Sequence, residues 1–383
     1  MATTTKSKTG RTAPKKRAVL KKIASNSLKT ARKPVAKRKT VIRKPSRKPE
    51  VRKVQPAGRK PDWAPTIRPE MQAVIEKLVS YNAAPLETLS PQMARQNPTP
   101  ADAVKDLIAE KNIKLPIPKV NKVDQHIAVS EGEILVRIYT PTKKKKTYPA
   151  ILYIHGGGWV IATIDTYEAS AIAMAEQNEA VVVAVEYRKG PEHKFPAAHI
   201  DSFDAYKWML KHAETLKINA KRVAVVGESA GGNMAINVSI MARDHRKIQM
   251  PVAQVLVYPV AQSNMNTPSY KKNENAKPLS KAMMAWFVKY SLPNEGAASD
   301  PRIDLTKADL RGLPPTTIIT AEIDPLMSEG EMLRDKLHEA GVKVNYKMFK
   351  GVTHEFFGMA AVVPEARVAQ DLATKNLGKY LKK

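Results

Sequence analysis

The stretch Gly227-Glu228-Ser229-Ala230-Gly231-Gly232 sets a serine among small residues directly after the run Arg222-Val223-Ala224-Val225-Val226. A run so short and β-branched reads as a buried strand. The residues that follow, Asn233 to Met241, read as a helix. Ser229 therefore occupies the turn between a strand and a helix. In a sharp turn the hydroxyl is pushed clear of the backbone, and small neighbours become a steric requirement. A helix-capping serine on an ordinary turn is the other reading of this hexapeptide, so partners elsewhere in the chain must decide.

The surrounding sequence repeats the same unit. "AILYIHGGGW" leads into a helix over about 167–178, "AVVVAVEYR" into one over about 199–213, and "RVAVVGESAGG" into one over about 232–243. "AQVLVYPV" and "TTIITAEID" follow, then the helix "EGEMLRDKLHEAG", the strand "VNYKMF" and a terminal helix from about 364. Alternating strands and helices predict an α/β fold with a mostly parallel sheet covered on both faces. Ahead of it, "VDQHIAV" and "EILVRIYT" alternate as two strands around Ser130-Glu131-Gly132, the pattern of a hairpin. Residues 66–113 read as mainly helical, with Met71, Val74, Ile75, Leu78 and Val79 on one face. The stretch 264–295, containing "KAMMAWFVKYSL", interrupts the alternation and reads as a helical insertion above the sheet edge.

Charge divides the chain differently. The 383 residues have a formal net charge of +28, but residues 1–61 hold 22 Lys and Arg against the single acid Glu50, which leaves +7 for the rest. Repeated Lys-Pro units, self-repulsion and few large apolar residues predict a disordered arm over 1–61, ahead of one domain over 62–383. Such an arm suits DNA, RNA or another polyanion. It predicts a cytoplasmic protein with nucleoid association. An organelle transit peptide competes with that reading, although the prolines and the excess of Lys would break an amphipathic helix. No apolar run is long enough to span a bilayer. With no cysteine, thiol catalysis, zinc thiolate sites and disulfides are excluded. The oligomeric state stays open, with a homodimer among the options.

In sheets of this kind reactive groups gather at the carboxyl ends of the strands. Of the three histidines after Ser229, His245 and His338 fall among charged or amphipathic helical residues, whereas His354 follows the strand "VNYKMF" through a short loop. Asp324 follows "TTIITAEI" at a strand end; Glu322, two residues earlier, is the fallback acid. A serine hydroxyl is a poor nucleophile at neutral pH. It needs an imidazole to take its proton and a carboxylate to fix that ring's tautomer. The run His155-Gly156-Gly157-Gly158-Trp159, after the strand "AILYI", lets backbone N–H groups converge where negative charge would develop. A phosphate-cradling loop is disfavoured there, since neither Gly-Lys-Ser/Thr nor GxGxxG is present. His155, His193 and His199 do not complete a metal-ligand spacing. No metal or cofactor is expected.

"HGGGW", "EYRKGPEHKFPAA", "GESAGG", "EIDPL" and "GVTHEFF", in that order, make the sequence from about residue 62 onward resemble an α/β-hydrolase of the hormone-sensitive lipase-like (bacterial type IV) esterase family. The resemblance implies Ser229 as nucleophile, Asp324 as acid and His354 as base. Gly157 and Gly158 with the N–H of Ala230 would form the oxyanion hole, Gly156 belonging to the same turn. It also implies a helical cap drawn from about 62–120 and 264–295, and hydrolysis of short- to medium-chain acyl esters through an acyl-enzyme. Glu228, Glu186, Lys189-Gly190 and Ser328 depart from the usual pattern but remove no member of the triad. Two other functions stay open: a small-molecule receptor on the same fold, and a nucleic-acid-associated protein localised by its tail.

Overall fold

The computed structural model describes residues 54–382. Of the disordered arm expected over residues 1–61, residues 1–53 lie outside the described residues. Four short elements open the described residues, three of them α-helices: α1 (Pro69–Ser80), α2 (Pro91–Ala94) and α3 (Pro100–Glu110). Pro91 and Pro100 start α2 and α3 where a missing N–H costs nothing, and Thr99 and Asp102 cap α3 reciprocally.

Eight strands form one sheet: β1 (Val120–Val129), β2 (Gly132–Pro141), β3 (Tyr148–Ile154), β4 (Val181–Glu186), β5 (Ile218–Glu228), β6 (Gln254–Val257), β7 (Thr316–Ile323) and β8 (Val344–Thr353). Their spatial order is β1-β2-β4-β3-β5-β6-β7-β8. β1 and β2 are the expected antiparallel hairpin, β2 is antiparallel to β4, and all pairings from β4 to β8 are parallel. The central strands β3 and β6 are buried along their whole length, as their unbroken apolar runs require.

The crossovers carry α4 (Glu168–Asn178), α5 (Ala197–Lys211), α6 (Ala230–Asp244) and α9 (Met327–Glu339) onto the two faces, and α10 (Pro364–Leu381) follows the last strand. Two hydrophobic clusters result, one on each side of the sheet. Between β6 and β7 the 264–295 insertion contains α7 (Pro268–Lys272) and α8 (Lys281–Ser291). It is tied to the N-terminal segment, because Trp286 Nε1 donates to Leu89 O at 3.0 Å. Among the described residues no helix is long and apolar enough to cross a membrane.

Two details differ from the sequence expectation. The buried face of α1 is Met71 to Ile75, whereas Leu78 is half-buried and Val79 is 45% exposed. The second detail is that residues 54–61, read as tail above, lie along α1. Val54 is fully buried, Gln72 Nε2 donates to Gly58 O and Arg59 O, and Glu76 accepts from the N–H of Ala57 and Gly58. One apolar residue and four backbone hydrogen-bonding groups outweigh the charge of this short segment, so the ordered body begins ahead of residue 62.

Candidate active site

β5 ends at Glu228 and α6 begins at Ala230, which leaves Ser229 alone to turn the chain, at φ 57° and ψ −120°. That backbone geometry is unfavourable for a residue with a Cβ and typically costs about 1–3 kcal/mol. The surroundings impose it. Ser229 N–H donates to Val257 O at 2.9 Å, and Ser229 O accepts from Gly232 N–H, Asn233 N–H and Val260 N–H. The close approach also explains the flanking glycines: a Cβ on Gly227 would collide with Gly231 O, and one on Gly231 with Ile154 O.

The expected partners meet here. His354 Nε2 is 3.0 Å from Ser229 Oγ, and His354 Nδ1 is 2.7 Å from Asp324 Oδ2. Asp324 is fully buried, and its other oxygen accepts from Leu326 N–H at 2.9 Å. A carboxylate accepts only, so the proton sits on Nδ1 and Nε2 is free to accept from the serine. Glu322 points elsewhere. Its Oε2 accepts from Gly351 N–H at 2.7 Å and steadies the end of β8 ahead of His354. His245 and His338 are exposed, as expected.

The glycine turn is built around a carbonyl. Gly156 O accepts from Tyr187 Oη at 2.8 Å and from His155 Nδ1 at 2.7 Å. In a trans peptide the next N–H points the opposite way, so pinning Gly156 O aims Gly157 N–H. Gly157 and Gly158 take φ of 97° and 58°. Among the described residues nothing accepts from the N–H of Gly157, Gly158 or Ala230. These three donors are left to serve an oxygen at the serine, while Gly156 contributes the held carbonyl. Burial lowers His155 to about 4, which keeps this ring neutral. Above the turn, Phe287 of α8 fills the space that a Cβ on Gly158 would need. Arg95, just past α2, donates to Val160 O and Gly190 O and pairs with Glu192.

Around His354 the charges are one-sided. Burial works against its protonated form. The charge of Asp324 and its hydrogen bond, reinforced by Glu355 and Glu228, win, and the ring is raised above the ordinary histidine range. The Tyr258 ring lies 4.4 Å from the imidazole, and its hydroxyl, like that of Tyr153, donates to the buried Glu228 carboxyl. Burial raises Glu228 in turn. The motif search missed Tyr153, Tyr187 and Tyr258. Tyr187 and Tyr258 each follow a strand end directly, and asking which hydroxyls share that position would have found them.

Fold and centre together define an α/β-hydrolase with a Ser–His–Asp arrangement. Residues 151–358 match the family model described as the alpha/beta hydrolase fold. Carboxylesterase NlhH of Mycobacterium tuberculosis is 32% identical over 317 residues, covering 80% of this chain and 95% of that protein. Ethyl acetate hydrolase of Pseudomonas putida is 31% identical over 262 residues, 67% of this chain and 82% of its own. Among solved structures, a thermostable esterase from Pseudomonas putida ECU1011 superposes with a TM-score of 0.75 at 29% identity, covering 83% of this chain and 98% of its own. An esterase from Pyrobaculum calidifontis does so with 0.71 at 33% identity, covering 80% and 97%. The chain belongs to the α/β-hydrolase fold family, within its hormone-sensitive lipase-like branch.

The raised imidazole has a definite sign. His354 must be neutral to accept a proton, so kcat/KM for a neutral ester should rise with pH about a midpoint above ~6.5, the ordinary histidine value. A pH profile measured from 5 to 9 checks this. A midpoint below that value contradicts the electrostatic account.

Proposed function

We propose that this protein is a serine carboxylesterase acting on short- to medium-chain acyl esters. The observation that best supports it is the buried line Ser229–His354–Asp324, at 3.0 and 2.7 Å, beside three unpartnered backbone donors. The esterase names of the relatives point the same way. No observation favours a non-catalytic receptor, since the full triad stands together.

In this reading Ser229 Oγ attacks the ester carbonyl as its proton passes to His354 Nε2. Gly157, Gly158 and Ala230 N–H groups receive the developing oxyanion. Asp324 holds the imidazolium through Nδ1–H without taking its proton. The ester C–O bond breaks, and the imidazolium protonates the departing alkoxide. Water repeats the sequence on the acyl-enzyme, giving the acid and free Ser229.

Ser229→Ala should lower turnover of a short nitrophenyl ester by about 10⁴-fold or more in a folded protein. Asp324→Asn should give a folded but slow enzyme, and Glu322→Gln a far milder loss. Steady-state kinetics on the three variants decide. A Ser229→Ala protein retaining a tenth of the activity, or Glu322→Gln as the crippling change, contradicts the assignment.

A second, compatible reading rests on the charge of residues 1–61. We infer that this arm binds nucleic acid or another polyanion and holds the enzyme near the nucleoid in the cytoplasm. Because residues 54–61 pack on α1, the fair comparison removes 1–53 alone. The full chain should bind DNA without sequence preference, with affinity falling steeply as salt rises. The shortened chain should not bind, and should keep its turnover of a neutral ester within about twofold, since no proposed catalytic group is lost. Equal DNA binding by both chains, measured by salt titration, overturns this reading.

A further inference from the structure

Beside the triad lies a cavity of about 80 Å³ for which the hydrolytic steps above have no use. Its wall includes Glu228, Glu355, Tyr167 and Ser170, with Val104 and Met359 as apolar members. No Lys, Arg or His lines it. Neither carboxyl has a cationic partner among the described residues. Glu228 accepts from Tyr153 and Tyr258, and Glu355 from Tyr167 Oη at 3.2 Å.

A second observation is independent of the acids. Ser170 is fully buried, yet its Oγ has no hydrogen-bond partner among the described residues. The hydroxyl lies near Glu228 and favours that carboxyl's charged form, without reaching hydrogen-bond geometry. It lies against the cavity wall at Gly358, where an added Cβ would come within 3.1 Å of it. Buried hydroxyls are seldom left unpaired without an occupant to serve.

Two of the wall residues are sequence neighbours of the triad. Glu228 and Glu355 are each one Cα step, about 3.8 Å, from Ser229 and His354 along the chain. Tyr167 Oη fills the space over Gly156, at the base of the glycine turn.

We propose that this cavity is a subsite for a primary ammonium group on the acyl arm of the substrate, held by Glu228, Glu355 and Ser170 Oγ. The inference rests on the esterase reading and narrows its substrate class. An ammonium group offers three N–H donors, and the wall offers two carboxyls and one free hydroxyl to receive them. Its charge supplies what two desolvated carboxyls lack. Burial raises both acids above the usual carboxylate range, for Glu355 against the opposing charge of His354. A void holding one water needs only about 10–15 Å³, so this one has room for an aminoethyl arm, whose methylenes would lie against Val104 and Met359. A quaternary ammonium lacks the donors and is the wrong ligand.

The test uses two isosteric esters, p-nitrophenyl 3-aminopropanoate and p-nitrophenyl butanoate, with kcat/KM for each divided by its spontaneous hydrolysis rate. In the full chain near neutral pH the cationic ester should be favoured at least tenfold. Glu355→Gln should bring that ratio to one or below. Ser170→Ala, which removes a single atom and spares the carboxyls, should reduce it severalfold. A ratio of one or less in the unaltered protein overturns the subsite while butanoate turnover leaves the esterase reading standing. A ratio that survives both substitutions overturns it too. Turnover of neither ester defeats the esterase reading itself, and the subsite with it.

Discussion

The turn at Ser229 constrains everything around it. A chain passing from β5 into α6 through one residue at φ 57° must bring the first turn of α6 hard against β3 and β6. Gly231 then abuts Ile154 O, and Ser229 N–H reaches Val257 O. Those contacts fix the neighbours of β5 at its carboxyl end, in register with Ile154 on one side and Val257 on the other. The backbone strain is small beside the burial of three adjacent central strands. In return the serine oxygen stands clear of the sheet, where groups from other strands can reach it.

Each of those groups is the first residue, or nearly so, beyond a strand. His155 and the glycine turn follow β3, Asp324 follows β7, and His354 follows β8. A parallel sheet puts all these ends on one edge, so residues far apart in sequence meet without any long-range signal of their own. That is why Ser229, Asp324 and His354 could be read from the chain. A short β-branched run followed by a lone polar residue marks a strand end, and the chemistry limits which polar residues are useful there.

What escaped the sequence depends on orientation. Nothing in its neighbourhood says that Tyr187 Oη turns back to hold Gly156 O, or that Tyr153 and Tyr258 face one carboxyl from two strands. Period-2 alternation predicts a face and not a partner. The choice between Glu322 and Asp324 was similarly open, because both lie at the end of β7; the bulge between Ala321 and Ile323 helps send one to an amide of β8 and the other to the imidazole. The start of the ordered body was hidden for another reason. Composition averages over a window, and in residues 54–61 one buried valine and a few backbone hydrogen bonds outweigh the basic character of their neighbours. The cap is the least legible part, held by single long-range bonds such as Trp286 to Leu89 O and Arg95 to Val160 O.

The central claim is that one serine, strained and hydrogen-bonded to His354, is the nucleophile. Covalent labelling with a fluorophosphonate, followed by peptide mass mapping, tests it without any assumption about the substrate. The account predicts one adduct per chain, on Ser229, formed together with loss of ester turnover. A protein that still hydrolyses esters with Ser229 unmodified after full labelling, or that takes the adduct on another residue, would contradict it.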